Sequence, residues 1–98
     1  MATGDERQAA AARIEELATL LRSQPGPHAA AMIEECEALT RAIGAFHMEG
    51  IRFRIYNVDR LVAQHAATLP AEARALLEDA RRHLEAAGFH TRSHQSPV

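Results

Sequence analysis

The sequence predicts an all-α protein: one long central helix flanked by two shorter antiparallel helices, with the bundle completed by dimerisation. Three observations predict it. Apolar residues recur at spacings of three and four in three stretches, as in helices with one face turned to a core. Proline-bearing turns separate those stretches. Large apolar side chains are scarce, with three Phe, one Tyr and no Trp, and they crowd into the middle stretch. The chain of 98 residues makes one domain, 1–98, whose core is small for a monomer.

Helix one is expected over about residues 4–22. Thr3 stands three residues before Glu6, the spacing of a capping box, and Asp5 and Glu6 suit the positive end of a helix. Ala10, Ile14, Leu17 and Leu21 form its apolar face, while Arg13, Glu15 and Glu16 point to solvent. Pro25, Gly26 and Pro27 then force a turn, because two prolines around a glycine cannot continue a helix. So short a turn makes helices one and two antiparallel neighbours.

Helix two is expected over about residues 27–67, roughly 60 Å at 1.5 Å per residue. It carries two apolar stripes. One holds Met32, Leu39, Ile43, Phe46 and Leu61; the other holds Ile33, Ile51, Ile55, Val58 and Val62. A rival reading exists for residues 50–56, where apolar and polar residues alternate as in a strand, but the chain offers no second convincing strand to pair with it. A break between Gly44 and Gly50 is the other alternative, and it gives a four-helix monomer. Pro70 ends helix two and opens helix three, about residues 70–87, with Ala73, Leu76, Leu77, Ala80 and Leu84 on one face. Gly88 stands at the position of a left-handed C-terminal cap, Phe89 can fold back on the last turn, and residues 90–98 read as a loose polar tail.

Each short helix can cover one stripe on its own half of helix two. The uncovered stripe predicts self-association, a homodimer or a higher homo-oligomer, through Phe46, Gly50, Ile51, Phe53, Ile55 and Val58. Charge supports an antiparallel crossing: residues 1–50 carry four Arg against eight acids, and residues 51–98 seven Arg against five.

Several function classes lose support at this stage. A net charge of −2 does not suit a general nucleic-acid binder, and Arg52 and Arg54 diverge by about 160° on a helix instead of sharing a face with Arg60, Arg74, Arg81, Arg82, Phe53 and Tyr56. No uncharged apolar run approaches the roughly 18 residues of a membrane span. A single cysteine, and a polar start without a signal-peptide pattern, lead to the expectation of a cytoplasmic protein. Phosphate-loop, dinucleotide and nucleophile-elbow fingerprints are lacking, and the serines fall at 23, 93 and 96, in a turn and the tail. No enzyme activity and no cofactor are therefore expected. No metal site is expected either: Cys36 and His47 are roughly 16 Å apart along a helix, there is no Glu-x-x-His pair, and His90 and His94 lack a third ligand.

Two functional readings remain. The first is a small helical module that binds its own copies or another protein. The second is a ligand-binding bundle, with Arg54 projecting between the stripes and receiving an anion in an inter-helix cleft beside His47, Tyr56 and Asn57. Against the second, the stem of Arg54 can pack on apolar surface and its head can meet solvent or a glutamate of the partner chain.

Overall fold

The computed structural model describes residues 2–24, 26, 28–89 and 91. Among them are four α-helices and no strand: α1 Ala2–Ser23, α2 Ala29–Gly44, α3 Met48–Gln64 and α4 Ala71–Ala86, with a short 3-10 turn at Ala66–Thr68 between the last two. The expected first turn rests on Pro25 and Pro27, which lie outside the described residues. α1 already begins at Ala2, and the Thr3 side chain expected to cap it lies outside the described ones.

The expected long helix over 27–67 is two helices. Three residues separate them, and the hydrogen bonds lost at the break are replaced locally. Phe46 takes a left-handed conformation, φ 59. Its N–H donates to the Ile43 carbonyl at 3.1 Å, and the N–H of His47 donates to the Ala42 carbonyl at 3.0 Å. This is the Schellman pattern that closes a helix C-terminus. His47 then starts α3: its Nδ1 accepts from the Gly50 N–H at 2.8 Å, an N-cap bond to the third helical residue. A Cβ on Gly50 would stand 2.7 Å from that nitrogen, so glycine leaves room for the cap.

Magnitudes explain why the break wins. A left-handed non-glycine residue costs about 1–2 kcal/mol. Ile51, Ile55, Val58 and Val62 would lie outside the core on a straight helix, and here they are buried. Each such side chain contributes roughly 1.5–3 kcal/mol on burial. The molecule measures 37 × 32 × 20 Å, and a straight helix of 60 Å would overrun it.

Cross-helix partners give the directions of the helices. Arg22 meets Glu37 and Arg7 meets Ile43 between α1 and α2; Glu35 meets Arg54 and Asn57 between α2 and α3. Asp59 meets Arg81 between α3 and α4, and Glu6 meets His83 between α1 and α4. The result is an up-down-up-down four-helix bundle. α4 comes closer to α1 than to α3. Ala10 and Ala18 on α1, and Ala73 and Ala80 on α4, are buried, and side chains this small let two backbones approach. Helix three was expected to cover its own half of helix two; instead α4 packs most closely against α1.

One core results. Ile14 and Leu17 of α1, Leu39 and Ile43 of α2, the four β-branched residues of α3, and Leu77 and Leu84 of α4 belong to it. Apart from Phe46, both apolar stripes of the middle stretch therefore meet inside a single chain. Ile51, Ile55 and Val58, expected at a dimer interface, are core residues, and Gly50 is covered by the His47 ring and Ala42. Gly88 adopts φ 100, and the Phe89 N–H reaches back to the Leu84 carbonyl at 2.9 Å. Thr91 is buried and donates to Glu85 at 2.5 Å; the other residues of the expected tail lie outside the described residues.

His47→Ala removes the only side-chain cap at the start of α3. The expected loss is about 1 kcal/mol, a fall of several degrees in the thermal midpoint for a domain of this size, read by circular dichroism.

Candidate functional site

Arg54 and Asn57 lie one turn apart on α3, so their side chains leave the helix on one side. Both reach the same carboxylate on α2. Arg54 Nη1 donates to Glu35 Oε1 at 3.1 Å and Oε2 at 3.2 Å, and Asn57 Nδ2 donates to Glu35 Oε1 at 3.3 Å. The chain thus supplies the anion that the sequence reading left open for a ligand. The glutamate expected opposite Arg54 was a partner's; the one it meets belongs to the same chain. His47 is spent on the α3 cap, and Tyr56, two residues from Arg54, leaves α3 about 160° away. The four residues expected to share a cleft do not converge on one.

Other polar groups are likewise paired within the chain, some within one helix and some between helices. Arg81 is buried, with Nη1 at 3.3 Å from Asp59 and 3.9 Å from Glu78. Arg52 pairs with Glu49, and Arg82 with Asp79. The basic residues considered together from the sequence are therefore dispersed and mostly neutralised. His83 is half-buried, and its Nδ1 lies 2.6 Å from Glu6. Sequence reasoning missed this pair, because its members are 77 residues apart.

Cys36 sits in the core beneath a small cleft of about 210 Å³ that Glu15, Arg22, Glu37 and Thr40 also line. Burial first, then the negative charge of Glu35, pushes its thiol up from 9.0 to about 12, and Arg22 only partly opposes the rise. A protonated thiol is a poor nucleophile. Among the described residues no three His, Cys, Asp or Glu side chains gather to hold a metal ion, and His90 and His94 lie outside the described residues. No described helix is long and apolar enough to cross a membrane.

The structure also creates features that no sequence window contains. His28, before α2, and His65, after α3, stack at 3.9 Å between ring centroids and 20° between planes. On a continuous helix they would be roughly 55 Å apart. They border a cleft of about 390 Å³ floored by Leu21, Met32 and Leu69. A larger groove, about 570 Å³, runs between α1 and α4, with Ala12, Leu20 and Leu76 in its lining and Glu15, Glu16 and Glu72 beside them.

Among the described residues three large apolar side chains stay outside the core: Phe46, Met48 and Phe53 are 56%, 50% and 48% exposed. Phe46 packs edge-on against Phe89 at 5.6 Å, under the Arg7 guanidinium at 4.9 Å. Phe53 has the Arg54 guanidinium 5.1 Å from its ring centre. Two of these residues, Phe46 and Phe53, are among those expected at an interface, and the structure leaves both accessible. No protein-family model matches the chain, and neither a curated protein nor a solved structure matches it.

Two outcomes check this account. A double-mutant cycle on Arg54→Ala and Glu35→Ala should give a coupling of about 0.5–1 kcal/mol, as for a half-exposed pair, and the coupling should shrink in high salt. The raised thiol value of Cys36 means that the folded state favours the neutral form. Its stabilisation is complete below the ordinary thiol range and is lost as pH rises toward about 12. Denaturation across pH 8–11 should therefore show a steeper alkaline loss for the wild type than for Cys36→Ala.

Proposed function

We propose that this chain is a small helical interaction module, without catalytic activity, that works in the cytoplasm by binding protein surfaces, its own copies first among them. The observation that carries this reading is the exposure of Phe46, Met48 and Phe53 when the other large apolar side chains among the described residues are buried fully or in part. Exposed aromatic rings beside arginines match the composition of protein interfaces, where Phe, Met and Arg are enriched. The sequence argument for a dimer was an uncovered stripe along a long helix. The core of the bundle removes that argument, and the support now comes from a smaller set of outward residues.

The polar groups favour the same reading. Arg54 and Asn57 are taken by Glu35, His47 by Gly50, and the thiol of Cys36 is held protonated. Side chains engaged in these ways are poorly placed to act on a substrate.

Sedimentation equilibrium tests the proposal directly. The wild type is expected to exceed the monomer mass at tens of micromolar, and Phe53→Ala to return it toward the monomer without lowering helicity. A wild type that stays monomeric up to millimolar concentration would remove the self-association reading.

A further inference from the structure

The groove between α1 and α4 has a chemistry that the rest of the surface answers. Ala12, Leu20 and Leu76 are half-buried and give it an apolar floor. Glu15 and Glu72 stand exposed at its sides and have no ion-pair partner among the described residues; Glu16 is held by Arg13 at 2.8 Å. The complementary surface lies on α3. Its core face is turned inward by Ile51, Ile55, Val58 and Val62, and its outward face presents Phe53 and Arg60. These two are seven residues apart, two helical turns, and so share one stripe about 10 Å long. Arg60 is exposed and likewise has no ion-pair partner among the described residues. An amphipathic helix face of this kind is what an apolar groove with charged sides receives.

We infer that the α1–α4 groove of one copy receives the outward face of α3 from a second copy, with Phe53 over the apolar floor and Arg60 against Glu15 and Glu72. The inference rests on the self-association proposed above and names its surfaces. Donor and acceptor are different places on the molecule, so the contact is between unlike surfaces. A charge-assisted contact of this type also weakens as salt rises.

Two variants test it. Phe53→Ala with Arg60→Glu removes the donor surface, and Glu15→Arg with Glu72→Arg removes the acceptor. All four positions are exposed, and each variant should melt within a few degrees of the wild type. Each variant alone is expected to associate at least tenfold more weakly than the wild type. Mixed one to one, they should recover a complex of two chains, because each still carries the surface that the other lacks. The wild-type complex should weaken several-fold between low and physiological salt. A monomeric wild type would defeat the general reading and this inference with it. A wild type that associates, with variants that also associate or a mixture that recovers nothing, would overturn this inference alone. Association that survives loss of the donor but not of the acceptor would assign the groove another occupant and overturn it too.

Discussion

The chain turns back on itself at Phe46, and the rest of the molecule depends on that reversal being hydrogen-bonded. A phenylalanine in the left-handed region is strained, and it persists only where its surroundings over-determine it. Here three helices contribute. α2 ends in the Schellman bonds from Phe46 and His47, and α3 begins with the His47 cap. From α1, Arg7 donates to the Ile43 carbonyl at 2.8 Å, placing a cation at the negative end of α2. The edge of Phe89, just past α4, closes the group on Phe46. Once the reversal is fixed, both apolar stripes of the middle stretch, apart from Phe46, face the same interior.

The same folding back decides what the polar residues do. Bringing α3 alongside α2 puts Arg54 and Asn57 over Glu35, and bringing α4 alongside α3 puts Arg81 over Asp59. A buried guanidinium is costly unless a carboxylate meets it, so the Arg81 pair fixes how α4 sits as much as it adds stability. Groups that resembled a binding site on a straight helix become the stitching between helices. The surface then carries what chemistry remains: exposed rings at Phe46 and Phe53, and exposed acids beside a groove on the far pair of helices.

Local periodicity accounts for the parts that were legible in the sequence. The all-helical class, the α1 face of Ala10, Ile14, Leu17 and Leu21, the α4 face of Ala73, Leu77, Ala80 and Leu84, and the Gly88 turn all follow from spacings within one or two helical turns. Each is a property of neighbours in sequence, which a window of a dozen residues contains. Exposure of Phe53 also follows, since it falls opposite the buried face of its own helix.

Only the tertiary structure decided where the middle stretch breaks. The reversal at residues 45–47 is favoured by the burial it permits and held by contacts from Arg7 and Phe89, near the two ends of the chain. Those contacts are invisible to any local pattern, and the left-handed position went to Phe46 instead of to the nearby Gly44 that local preference would favour. The contacts that depend on the break were hidden for the same reason. The carboxylate that takes Arg54, the ring that His28 stacks on, and the loss of Ile51, Ile55 and Val58 from an expected interface all depend on which helices lie side by side, and that is set by burying one shared core.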